Sequence, residues 1–264
     1  MLERVKMNNV HPVKTGPMPA LHLETSGQQT RSTDSIISLR DVNKIYTVSK
    51  EVVVPAVQGV DLDIERGEFV VITGRSGSGK TTLLHLIAGL TRPTSGQVLF
   101  DGSEIWRLPD AEQSLVRNRR IGFVFQFPSL MPSLTALENV VLPTMFGDDE
   151  AREGAQERAA QILYDVGLAD KLGAYPRQLS GGQQQRVVVA RSLMNQPDLI
   201  LADEPTSDLD ELTEKEIMTM FREVHARSGV TILLVTHSLH LGVFGTRSVR
   251  MARGRIVTGE EEEK

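Results

Sequence analysis

The chain has 264 residues, of which 40% are hydrophobic and 24% charged, enough for an ordinary soluble core in one large domain or two small ones. Its formal net charge of -5 lacks the basic surplus usual in a nucleic-acid binder, and nucleic acid is not expected among its partners. It has no cysteine, which excludes disulfides, thiolate metal sites and cysteine nucleophiles and fits a cytosolic protein. No apolar run approaches the roughly 20 residues that cross a bilayer. The first residues also lack the apolar stretch of a secretory signal. Any contact with a membrane is therefore expected through a partner.

Residues 1–34 are polar, carry Pro12, Pro17, Pro19 and Gly27, and show no apolar periodicity. They are expected to form a flexible arm. Residues 69–72, Phe-Val-Val-Ile, make a short apolar strand closed by Gly74, and residues 81–90 read as a helix. Residues 121–125, 199–202 and 231–235 are further strands. Their apolar runs have few polar interruptions, as in strands buried on both faces of a parallel sheet. Ala159, Ile162, Leu163 and Val166 fall at helical spacing, with Gly167 as the stop. Ile217, Met220, Phe221 and Val224 repeat that spacing, with Thr213 and Glu216 expected as a capping box and Gly229 as the end. Residues 260–263 are all Glu and are expected to be a solvated acidic tail over 259–264. The pattern is an α/β domain over about 35–258 with a helical insertion at about 127–178.

Gly74-Arg75-Ser76-Gly77-Ser78-Gly79-Lys80-Thr81 matches G-x-x-x-x-G-K-[ST] in full, between a predicted strand and a predicted helix. Glycines let the backbone curl so that several N–H groups point into one concavity. The helix start adds its positive dipole end. Lys80 is placed to neutralise the β- and γ-phosphates of ATP, and the Thr81 hydroxyl to ligate Mg2+. A glycine-rich turn with a chance lysine would lack this strand and helix. Leu199-Ile200-Leu201-Ala202-Asp203-Glu204 is an apolar strand ending in two carboxylates, expected to run beside the phosphate-loop strand. Asp203 would hold Mg2+, and Glu204 would polarise the attacking water as general base.

Leu179-Ser180-Gly181-Gly182-Gln183-Gln184-Gln185-Arg186 precedes a helical run over 183–194. Its glycine pair presents bare N–H groups at a helix start, a second anion site, while Ser180 caps the helix. With the two preceding motifs, in this order, the sequence resembles the nucleotide-binding subunits of ABC transporters over about residues 36–258. That resemblance implies a P-loop NTPase core of mainly parallel sheet with helices, an antiparallel β subdomain and an inserted α-helical subdomain. It implies ATP hydrolysis with Mg2+. It also implies that residues 74–81 and Thr82 of one subunit, with Ser180, Gly181, Gly182 and Gln183 of another, enclose each ATP. The partner is then a second nucleotide-binding subunit, expected as a homodimer.

Further positions follow from the same resemblance. Tyr46 is similar to the aromatic residue that stacks on adenine. Gln126 is similar to the glutamine that reaches Mg2+ and the attacking water. Ser207-Asp208-Leu209-Asp210 resembles the loop that crosses the dimer seam, with Asp208 where alanine is frequent. His237 is similar to the switch histidine that bonds the γ-phosphate. His85, His225 and His240 have no such support and are expected to be packing or surface residues. Phe127, Leu130 and Met131 are expected to give an apolar docking surface for an integral membrane permease subunit, which would hold the chain at the cytoplasmic face of the inner membrane.

The stretch Leu134 to Pro143, the glutamine-rich signature and the residues Val52 to Ala56 resemble the macrolide-exporter and lipoprotein-release group. The neighbouring cell-division ATPase, which regulates envelope enzymes through a permease-like partner, is the alternative. An ABC ATPase of DNA maintenance would need long coiled-coil arms, and a translation-type ABC protein two sets of motifs. The chain has neither.

Overall fold

The computed structural model describes residues 35–47, 49, 52–147 and 152–257. The arm expected over 1–34 and the acidic tail over 259–264 lie outside the described residues, as does Thr258.

The buried apolar runs are the strands of a six-stranded sheet. In chain order these are β3 (Phe69–Thr73), β6 (Ile121–Val124), β7 (Leu199–Asp203), β8 (Thr231–Thr236), β9 (Arg247–Ala252) and β10 (Arg255–Val257). They lie in the order β10-β9-β3-β8-β7-β6, parallel except for β10. Every residue of β3, β7 and β8 is buried, as a two-sided parallel sheet requires. A separate antiparallel sheet, β2-β1-β4-β5, is built from β1 (Ser35–Thr47), β2 (Val53–Glu65), β4 (Ser95–Phe100) and β5 (Ser103–Glu104).

Alternation along the parallel strands divides the core in two. Val70, Ile72, Leu201, Leu233 and Val235 pack with the antiparallel sheet and with α1 (Lys80–Ile87). Val71, Ile200, Ala202, Ile232 and Leu234 face the other way, onto α5 (Gly181–Leu193) and α6 (Glu211–Ser228). Three elements intervene before α5: α2 (Asp110–Arg120), α3 (Ala136–Val141) and α4 (Ala155–Asp165). Between residues 127 and 178 the regular structure among the described residues is helical, with 3-10 turns at Leu142–Phe146 and Pro176–Gln178 beside α3 and α4. Ala136, Val140, Ala159 and Leu163 of this segment join the core of α5 and α6.

Four expectations are corrected. The hydrolysis strand β7 does not run beside β3, because β8 lies between them. The register Thr73↔Thr236 and Val235↔Asp203 still ends all three strands in one row, so their loops share one edge. The first helix stops at Ile87, three residues before Leu90, because Gly89 adopts φ 65° and Leu90 N–H turns back to His85 O. The last long helix begins at Glu211 with Asp210 as its cap, so Thr213 is the capped residue and Glu216 pairs with Arg186 instead. Leu130 points inward with 9% exposure, leaving Phe127 at 66% and Met131 at 47% as the accessible members of the expected docking trio. The loop turns on Asn139, which is fully buried. Its amide donates to the carbonyls of Met131, Leu134 and Thr135, and its Oδ1 accepts Met131 N–H at 2.7 Å.

Asn139→Ala would strand these backbone groups away from water. We expect a loss of about 2 kcal/mol in urea or thermal unfolding, a far larger effect than at an exposed position on the same helix.

Candidate nucleotide site

The loop after β3 is shaped by glycine where no other residue fits. A Cβ on Gly74 would lie 2.1 Å from Met251 O, and one on Gly79 2.2 Å from Ala56 O. Gly79 also takes φ 100°. Gly74 N–H donates to Thr236 O at 3.2 Å and Ser78 N–H to Arg75 O at 3.1 Å, which curls the chain back before α1. Arg75, Ser76 and Gly77 are exposed on the outside of this curl, while Ser78 and Lys80 are buried within it. Helix α1 has no side-chain cap, so the N–H groups of Lys80, Thr81 and Thr82 in its first turn are open to an anion. The Ser78 hydroxyl is buried without a hydrogen-bond partner.

Lys80 is 5% exposed, and its Nζ donates to Gly74 O at 2.7 Å and Arg75 O at 3.1 Å and lies 3.6 Å from Glu204 Oε1. A buried ammonium with two carbonyls and one more distant carboxylate is a cation held for an anionic ligand. Thr81 Oγ1 donates to Asp203 Oδ1 at 3.0 Å, drawing a hydroxyl and a carboxylate of two different elements together. Burial, and secondarily the charge of Glu204, raise the Asp203 pKa above the usual carboxylate value, against the Thr81 hydrogen bond and the nearby cations. Among the described residues no group of three or more His, Cys, Asp or Glu is arranged to hold a metal ion by itself. These hard oxygens suit Mg2+, which would complete its shell with phosphate oxygens and water.

Glu204 occupies the left-handed region at φ 46°, unusual for a non-glycine residue and held here by Glu204 N–H donating to Val235 O at 2.9 Å. Its Oε2 accepts the backbone N–H of His237 at 3.1 Å and lies 2.8 Å from His237 Nδ1. The two residues expected at the chemistry are thus bonded to each other, because β7 and β8 are neighbours. Gln126 emerges two residues beyond β6 on the same edge. It is exposed and makes no hydrogen bond to this cluster among the described residues. Tyr46 pairs across to Val54, about 7 Å along β2 from Ala56, whose carbonyl abuts Gly79. Its ring is accessible, with Lys44 Nζ 4.9 Å from the centroid.

The second anion site stands at the start of α5. Ser180 Oγ accepts Gln183 N–H while Gln183 Oε1 accepts Ser180 N–H, a reciprocal cap. Ser180 and Gly181 are exposed. Gly182 abuts α6, since a Cβ there would lie 2.5 Å from Thr213 Cγ2. Asp210 caps α6 through Thr213 N–H and the Thr213 hydroxyl, which hold its carboxyl below the usual range. The loop that carries Asp210 therefore rests against the signature turn, and Leu209 lies beside Gly181.

The sequence reading missed Gly254. At φ 78° in the β9–β10 turn, its N–H donates to Ser78 O at 2.9 Å and its carbonyl accepts Gln58 N–H at 2.8 Å, bracing the phosphate loop from the far end of the chain. A glycine between two short apolar stretches marks a turn but not what the turn touches. Two further histidines are held by hydrogen bonds: His225 bonds Gly67 O at 2.8 Å and lies against Phe69, and the exposed His240 bonds Glu214 at 2.7 Å.

Residues 57–207 match the family model of ABC transporters. A protein of Thermotoga maritima named an ABC transporter ATP-binding protein is 51% identical over 84% of this chain and 93% of its own length. The lipoprotein-releasing system ATP-binding protein LolD of Geobacter metallireducens is 44% identical over 84% of this chain and 98% of its own. The macrolide export ATP-binding/permease protein MacB of Syntrophobacter fumaroxidans is 43% identical over 84% of this chain but only 31% of its own. A dimeric ATP-binding cassette solved in a post-hydrolysis state with ADP and phosphate superposes with a TM-score of 0.74 at 41% identity, over 86% of this chain and 98% of that one. The chain belongs to the ABC transporter family and is an ATPase of the kind that forms its ATP-binding subunits.

Proposed function

We propose that two copies of this chain close on two ATP molecules and that the closure drives a membrane permease in export or lipoprotein release. The observation that carries the reading is the row of loops at one edge of the parallel sheet. There Thr81 bonds Asp203, Glu204 bonds His237, and Lys80 lies 3.6 Å from Glu204. The relatives named LolD and MacB support the subfamily, and the dimeric cassette supports the assembly.

In this reading the 74–81 loop and Thr82 cradle the triphosphate, with Tyr46 against the adenine. Lys80 exchanges its two carbonyls for phosphate oxygens. Thr81, Asp203 and Gln126 would hold Mg2+, which would supply positive charge beside the γ-phosphate. Glu204 orients and deprotonates the attacking water, and His237 bonds the γ-phosphate while steadying Glu204. Ser180, Gly181, Gly182 and Gln183 belong to the site of the opposite copy, as does Asp210. Ser180 and Gly181 at the start of α5 and Asp210 at the start of α6 are exposed, which supports that reading. ATP then shifts an open–closed equilibrium because only the closed pair binds each γ-phosphate from both sides.

The permease would dock beside Gln126. A groove of about 450 Å³ lies there, with Phe125, Leu142 and Phe146 on its walls and Arg117 and Arg191 among its polar groups. Phe127 and Met131 are accessible on the adjoining loop.

Glu204→Gln should lower kcat by at least about 100-fold while ATP remains bound, trapping a dimer visible by size-exclusion chromatography. Near wild-type turnover in that variant would remove Glu204 as the base. Specific activity should rise with subunit concentration and collapse in Ser180→Arg; a concentration-independent rate untouched by that change contradicts shared sites. Phe127→Glu with Met131→Glu should preserve basal ATPase activity and abolish stimulation by the permease, measured in reconstituted membranes. Retained stimulation would place the docking surface elsewhere.

A further inference from the structure

Glu214 stands in the first turn of α6, outside every motif that the sequence displays. Its side chain is 14% exposed and joins two loops. Oε2 accepts the hydroxyl of Thr206 at 3.2 Å, and Oε1 lies 2.7 Å from His240 Nε2. Thr206 is buried and follows Glu204 by two residues; His240 follows His237 by three. Both intervening stretches are hydrogen-bonded turns. Ser207 N–H returns to Glu204 O at 3.3 Å, Ser238 N–H to Thr236 Oγ1 at 3.1 Å, and Leu241 N–H to Ser238 O at 3.2 Å. Short bonded turns pass a displacement along the chain instead of absorbing it.

The same helix end also meets the signature turn. Thr213 lies against Gly182, and Glu216 pairs with Arg186 at 3.0 Å. Three residues within one turn, Thr213, Glu214 and Glu216, thus touch the signature helix, the loop after β7 and the loop after β8.

We propose that Glu214 is a positioning residue for ATP hydrolysis. It clamps the loop of Glu204 to the loop of His237, on the end of α6 that packs against the signature turn. The Glu204–His237 contact holds the two loops at the chemistry; Glu214 holds them a second time, about one turn away. A carboxylate that accepts at both oxygens suits this, since charge-assisted bonds are short and directional. Movement of the signature turn as the two copies close would reach His237 through Thr213, Glu214 and His240. The inference rests on the assignment of Glu204 and His237 to the chemistry.

The His240 side chain is 65% exposed, so its removal leaves the fold intact. His240→Ala should lower kcat about three- to tenfold, the range set by one lost hydrogen bond, with KM for ATP and the melting temperature unchanged. Glu214→Ala should lower kcat at least as far. The double variant should fall no further than Glu214→Ala, the non-additivity of residues that act as a pair. A wild-type kcat in His240→Ala, or losses that multiply in the double variant, would overturn the proposal. Failure of the base assignment reads out separately, in the turnover of Glu204→Gln.

Discussion

The ammonium of Lys80 is the constraint around which the site is organised. A charge that deep is costly unless it is paired. The fold pairs it incompletely, with two backbone carbonyls of the curled loop and a carboxylate 3.6 Å away. Nothing in this arrangement matches the charge and oxygen count of a triphosphate. The loop cannot relax toward a better one, because Gly74 and Gly79 are pressed against the carbonyls of Met251 and Ala56. On the proposed reading the geometry of an anion site is built before the anion arrives, and affinity for phosphate would follow from the unmet need of one buried cation.

The remaining chemistry depends on how that loop is flanked. Strand β8 separates β3 from β7, so its loop, with His237, stands between the phosphate loop and the two carboxylates. Glu204 reaches both sides, toward Lys80 and toward His237, and does so from a left-handed backbone conformation that its neighbours enforce. Such strain persists only where surrounding contacts over-determine it. Here those contacts are the Val235 carbonyl and the His237 amide, each supplied by the adjacent strand or its loop.

Helix α6 ties this centre to the surface that would meet a second copy. Its first turns receive Asp210 as a cap, press Thr213 on the signature glycine and hold Glu214 between two loops. Close packing leaves little slack for one of these parts to move alone. The face expected to receive a permease is shaped in the same way. Leu130 is drawn into the helical core and Asn139 fixes the backbone around it, which leaves Phe127 and Met131 outward beside the groove.

The sequence by itself determined four strands of the parallel sheet, the glycine loop between strand and helix, the two carboxylates at the end of β7 and the signature cap. Each of these is a local pattern: a buried apolar run, a glycine spacing at a helix start, or a hydroxyl three residues before a capped amide. The resemblance carried by the three motifs extended that reading to Tyr46, Gln126, His237 and the second copy. Only the tertiary structure decided what lies between distant segments. It interposed β8, set Glu204 on His237, brought Gly254 under Ser78, turned Leu130 inward and joined Glu214 to His240. The physical reason is that local patterns fix backbone hydrogen bonding and the face a side chain presents. Which two faces meet is set by strand order and packing across more than a hundred residues, and no short window of sequence holds that information.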